Sequence, residues 1–151
     1  MELLSNLHPK IVHFSISLLV IYFIFELAGF MLKKEYLTKS SYILLIFGIL
    51  SAILSVFTGN QAYQSVINNV TQNELINLIE RHQDYATMTV WYFTFLFFVR
   101  TYLLIKKKFF RKYQLILVLL SFIGAIFILL TAHFGGELVF KYGLGTKLFG
   151  K

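Results

Sequence analysis

Residues 11–32 read IVHFSISLLVIYFIFELAGFML, a run interrupted by one charge, Glu26. At about 1.5 Å per residue such a helix is about 33 Å long, enough to cross the roughly 30 Å of hydrocarbon in a bilayer. The run is longer than a signal-peptide core and no small-residue cleavage site follows it. Lys33-Lys34 close it as a stop-transfer flank would. Comparable segments follow at 42–58 with no charge, at 85–105 with Arg100, and at 113–133 with no formal charge. The expected fold is therefore an all-α membrane protein, a four-helix up-down bundle forming one integral membrane domain over 1–151. Thr71-Gln72-Asn73-Glu74 reads as a capping box, and Leu75, Leu78, Ile79 and His82 share a helical face. The spacing predicts a short interfacial helix over 72–82 before the third span.

Composition agrees. Of 151 residues, 58% are hydrophobic and only 14% charged, against about 25% charged in an ordinary soluble domain. The 18% aromatic content excludes disorder. The lack of Cys excludes a disulfide framework, a thiolate metal site and an iron–sulfur cluster. The formal charge of +7 is a clue to topology rather than to nucleic acid. Linkers 33–41 and 106–112 share one face, side B, with eight cations (Lys33, Lys34, Lys39, Lys106, Lys107, Lys108, Arg111, Lys112) against Glu35. On side A, with both termini and segment 59–84, Lys10, Arg81, Lys141, Lys147 and Lys151 balance Glu2, Glu74, Glu80, Asp84 and Glu137. Cations mark cytoplasmic loops. The expectation is a bacterial inner-membrane protein, side B in the cytoplasm and both termini in the periplasm.

The two halves read as copies in parallel orientation. A shift of 74 aligns His8 with His82, Glu26 with Arg100, and Lys33-Lys34 with Lys107-Lys108. A shift of 73 aligns Ala52 with Ala125, Thr58 with Thr131, and Asn60 with His133. Glu26 and Arg100 lie at equal depth in spans of the same direction. A charge inside the bilayer costs several kcal/mol unless paired, so they are expected to form an intramembrane ion pair. Spans 2 and 4 carry stripes of small residues, Gly48, Ser51, Ala52, Ser55, Gly59 and Ser121, Gly124, Ala125, Thr131, Ala132, Gly135. These suit close helix packing, a flat prosthetic group against the backbone, or dimerisation.

All four histidines, His8, His13, His82 and His133, fall at side-A ends of the spans. Imidazole is the commonest metal ligand and an axial ligand of haem iron, and bundle helices can converge on a core cofactor. Pro9 is expected at the start of the first helix, with His8 just outside it. Three readings stand. One is interfacial imidazoles without a cofactor, in a structural or accessory subunit. Another is b-type haem held by two or four of these histidines, with Phe14, Tyr85, Trp91, Tyr92, Phe134 and Tyr142 as candidate cavity walls. The third is a non-haem metal site of three or four imidazoles, with Asp84 or Glu137. His-x-x-x-His, His-Glu-x-x-His, P-loop and nucleophile-elbow patterns are absent.

Leu7-His8-Pro9 and Val12-His13-Phe14 resemble the LHP-x-x-VHFP opening of the bacterial membrane-protein family named domain of unknown function 2231. Gly135-Gly136-Glu137-Leu138-Val139-Phe140 with Tyr142-Gly143-Leu144-Gly145 resembles its closing GG-x-LVY-x-x-G-x-G element. Ser15 and Phe140 depart from the usual Pro and Tyr. His82, His133 and Glu26 fall where the family tends to carry histidines and an acid. The resemblance implies a four-span inner-membrane domain. Some relatives are joined to Rieske or cytochrome c domains, which implies electron transfer near the periplasmic face. The expected function is then a haem b electron carrier with a site built from His8, His13, His82 and His133. Its partners would be the lipid bilayer, a periplasmic redox protein or a quinone, with no nucleic acid, and it could assemble as an oligomer.

Overall fold

The computed structural model describes residues 2–107 and 111–145, leaving aside the side chains of 2–6 and 69. Lys108, Lys147, Lys151 and the Glu2 side chain, counted above, lie outside the described residues. Four helices follow in order: α1 Glu2–Leu32, α2 Glu35–Val66, α3 Asn73–Ile105 and α4 Arg111–Phe140, with a single 3-10 turn at Ile67–Asn69. Each is long and apolar enough to cross a membrane. The helices alternate up and down. α1 packs along α2 and α3 along α4, and α1/α4 and α2/α3 close the square. α1 and α3 therefore face each other across a diagonal.

Along the spans the interior holds several polar side chains while the outside is largely apolar. Ser15, Ser41, Ser51, Thr58, Thr89, Ser121, Glu26 and Arg100 are buried, whereas Phe47, Leu50, Leu54, Trp91, Phe98 and Leu129 are exposed. In lipid this is the favourable arrangement, because tails solvate apolar side chains and cannot satisfy polar ones. Leu19, Tyr22, Leu45, Ile49, Phe93, Leu96 and Ile128 fill the bundle centre.

α1 ends where Lys33 takes a left-handed φ of 55° and the Lys34 N–H donates to the Gly29 carbonyl at 3.2 Å. This is the six-to-one bond of a Schellman stop. Lys107, 74 positions later, has φ 50° at the end of α3. The helices run past the bilayer on side A, since 33 residues of α3 make about 50 Å. A second small core forms there from Val70, Leu75, Ile79 and Leu138, with Tyr63 and Tyr142 against it. Lys141 Nζ lies 2.7 Å from Glu74 Oε1, and that hydrogen bond raises the Lys141 pKa above the ordinary lysine value.

Four expectations are corrected. The segment 72–82 is not a separate interfacial helix but the first turns of α3. No Gly or Pro breaks the chain between His82 and Tyr85, and the apolar face of Leu75 and Ile79 is buried on Leu138 and Val70 rather than on lipid. The capping box does not form: Gln72 is the N-cap, without a side-chain bond, and Glu74 is engaged by Lys141. Pro9 lies inside α1 rather than at its start, so His8 is a helical residue. At the eighth residue of α1 its missing N–H forgoes one helical bond and its ring crowds the carbonyl four residues back.

The last correction concerns the repeat. The shift of 74 relates α1 to α3, but α2 and α4 are related by 76, not 73. A Cβ on Gly48 would meet Leu19, and one on Gly124 would meet Phe93. A Cβ on Gly59 would meet His8, and one on Gly135 would meet His82. Ser15 bonds Ser55, and Thr89 bonds Thr131. Five residues separate α3 from α4 where two separate α1 from α2, which displaces the fourth helix in the alignment. The shift of 74 matches His8 with His82, Leu19 with Phe93, Tyr22 with Leu96 and Glu26 with Arg100, and the first and last of these pairs meet across the diagonal.

Candidate functional site: a diagonal histidine pair

Two of the four histidines come together. His8 and His82 approach across the diagonal with ring centroids 6.5 Å apart and planes at 77°. Both are half-buried. The other two turn away. His13, five residues on from His8, is exposed on the outer surface of α1, because five residues rotate a side chain by about 140° net. His133 is 63% exposed on α4, with Nε2 4.0 Å from Glu137. Asp84 is exposed. Of the candidate aromatic walls, Phe14 and Trp91 point outward, while Tyr85 stacks on Phe134 at 5.1 Å.

The hydrogen bonds around the pair define its tautomer. His82 Nδ1 lies 3.1 Å from the Thr131 carbonyl. A carbonyl only accepts, so Nδ1 carries the proton and Nε2 of the neutral ring keeps its lone pair. His8 Nδ1 lies 3.2 Å from Thr58 Oγ1. That hydroxyl already donates to the Leu54 carbonyl at 2.9 Å, so its oxygen accepts from His8 Nδ1–H. Both imidazoles thus keep Nε2 as a free base. Each ring also leans on a glycine: a Cβ at Gly59 or Gly135 would stand 2.9 Å from the imidazole Cε1 of His8 or His82. The small-residue stripes supply these seats, a use that periodicity alone does not distinguish from plain helix packing.

About two turns deeper along α1, Ser15 Oγ lies 2.6 Å from Ser51 Oγ and 2.8 Å from Ser55 Oγ. Ser51 also lines a shallow groove with Lys10, Ile11, Phe14, Phe47, Leu50 and Leu54. Serine hydroxyls bond readily to the carbonyl four residues back, so nothing in their sequence spacing singles out this cluster.

At the other end of the axis, about 27 Å along α1 by helix rise, Glu26 and Arg100 form an ion pair, each 1% exposed. Ser41 Oγ donates to Glu26 Oε2 at 2.7 Å. Arg100 also donates to the Thr38 carbonyl and lies over the Tyr42 ring at 5.4 Å.

Among the described residues no group of three or more His, Cys, Asp or Glu could hold a metal ion. The expectation of a non-haem site with three or four imidazoles does not match this placement: the rotation of α1 and α4 takes His13 and His133 outward. Two imidazoles bonded to one ion at about 2 Å each would have centroids roughly 6 Å apart, close to the spacing found. Zinc would need further protein ligands, whereas a macrocycle that carries four nitrogens of its own needs only an axial pair.

The fold and the pair define a class: a four-helix integral membrane bundle with a diagonal histidine pair near one membrane face. The family model described as predicted membrane protein (DUF2231) matches residues 4–148, and the chain belongs to that family. No curated protein and no solved structure matches it.

Proposed function

We propose that the protein is a b-type haem electron carrier of the bacterial inner membrane, with His8 and His82 as the axial ligands. The single observation that carries this reading is the diagonal pair itself, two imidazoles 6.5 Å apart with both Nδ1 atoms tied to the fold. Tying Nδ1 fixes the tautomer and orients the ring. Thr58 and the Thr131 carbonyl would do this work, with Gly59 and Gly135 allowing the close approach. The donor set fits: two neutral imidazoles each present a free Nε2, and the rings meet edge to face. Haem, when bound, supplies reversible one-electron storage. Held by both His8 and His82, such a group would favour electron transfer over ligand binding.

The basic face on side B supports an orientation with both termini in the periplasm. Redox partners would then reach the pair by two routes. A periplasmic redox protein would come from the aqueous side A. A quinone would come through the lipid-facing groove of Lys10, Phe14 and Ser51.

The test is an absorption spectrum of natively expressed, purified protein, oxidised and reduced. A Soret band that is lost in His8→Ala and in His82→Ala, and kept in His13→Ala and His133→Ala, is the expected result. The second reading, a cofactor-free structural subunit, is favoured by the close seat of each ring on its glycine. The lack of any Soret band decides for it.

A further inference from the structure

We propose that the corner where α1 ends and α4 begins binds the phosphate headgroup of an anionic phospholipid in the leaflet on side B. Arg111 opens α4, and its guanidinium donates to the Phe30 carbonyl at 3.1 Å and lies 4.3 Å over the Phe30 ring. That bond carries the first cations of α4 to the end of α1, where Lys33 and Lys34 follow within four residues. Lys112, the next residue, lies 5.0 Å over the Tyr113 ring. Four cations thus share one corner.

No described acid answers them. The Glu35 carboxylate is 2.9 Å from Lys39, and Glu26 is buried against Arg100. The opposite corner, between α2 and α3, is different. The counterpart of Arg111 under the shift of 76 is Glu35, so the start of α2 carries an acid, paired with Lys39, where the start of α4 carries a base. A topology signal needs cations on a face but not a guanidinium tied to the end of the neighbouring helix. The asymmetry therefore asks for a local partner.

The partner is amphipathic. Met31, Leu32, Leu115 and Ile116 are exposed just inside the four cations, a wall for acyl chains beneath a seat for phosphate. Basic pockets between helices at the cytoplasmic end of a bundle bind anionic headgroups for this reason. A soluble anion would use the charges and leave the apolar wall idle.

The experiment titrates purified full-length protein in detergent with phosphatidylglycerol, phosphatidylcholine of the same chains, or inorganic phosphate. Lipid retention is read by native mass spectrometry, and helix content is checked by circular dichroism. Phosphatidylglycerol is expected to bind the parent most tightly. Each cation contributes about fivefold near a membrane surface, so Arg111→Gln/Lys112→Gln is expected to weaken it roughly 20-fold. Lys10→Gln/Arg81→Gln, exposed at the side-A corners, is expected to change it less than about threefold, because screening confines the effect. Lys33→Gln/Lys34→Gln leaves α4 untouched and repeats the test if the first variant misfolds. Equal binding of the two lipids, equal protection by inorganic phosphate, or equal loss from the side-A variant would overturn the proposal.

Discussion

Glu26 on α1 and Arg100 on α3 meet across the bundle diagonal, 74 residues apart in the chain, with both side chains withdrawn from the surface. Removing one member leaves the other charge stranded in a medium that cannot solvate it. Glu26→Gln or Arg100→Leu is expected to lower stability by about 3–5 kcal/mol, measured by equilibrium unfolding in mixed detergent micelles. Glu26→Leu/Arg100→Leu is expected to recover most of that loss, since an apolar pair of suitable volume often matches a buried ion pair. A double variant no better than the singles would refute this account of the cost.

The seats of the two imidazoles give the next test. Gly59→Ala or Gly135→Ala would place a methyl group 2.9 Å from His8 or His82. Overpacking of this kind costs about 1–3 kcal/mol. The expected outcome is a lower unfolding midpoint for each and, where haem is present, a shifted Soret maximum. The control is Gly136→Ala, whose nearest neighbour would be Phe140 at 4.0 Å, and it is expected to change neither.

A stabilising change follows from backbone strain. Lys107 adopts φ 50°, a conformation that costs a residue with a side chain about 1–2 kcal/mol and glycine almost nothing. Lys107→Gly is expected to raise stability by about 0.5–1 kcal/mol after the extra freedom of glycine in the unfolded chain is set against it. Thermal unfolding in detergent reads the result, and a lower midpoint contradicts the assignment.

Orientation can be read by labelling, because the chain has no native cysteine. A lone cysteine at Gln64, exposed near the side-A end of α2, is expected to react with a membrane-impermeant maleimide in spheroplasts. A lone cysteine at Lys107 is expected to react only after lysis. The reverse pattern would invert the bundle and move the histidine pair to the cytoplasmic face.

The membrane spans were legible in the sequence because hydrocarbon imposes one requirement, an apolar stretch of sufficient length. Glu26 and Arg100 were legible for a related reason: intramembrane charges are rare and theirs stand at matching positions. The histidines were legible as a set on side A but not as a pair. Which two meet depends on helix rotation, and α1 is apolar around most of its circumference, so periodicity gave no rotation to read. The continuity of α3 was hidden by a stripe, Leu75 and Ile79, whose burial on Leu138 resembles burial on a membrane until the C-terminal segment is folded against it. The true register of α4 was hidden because length differences in a turn are invisible until contacts such as Gly124 to Phe93 are seen.

The two halves also differ in when they are made. A ribosome adding about 5–20 residues per second needs roughly 4–15 s to travel from Glu26 to Arg100. Through that interval the first hairpin carries an acidic position with no answering base. Two early hairpins from neighbouring ribosomes would bring acid to acid and be poor company for each other. The first half therefore acquires the base that answers its acid only when its own second half is made.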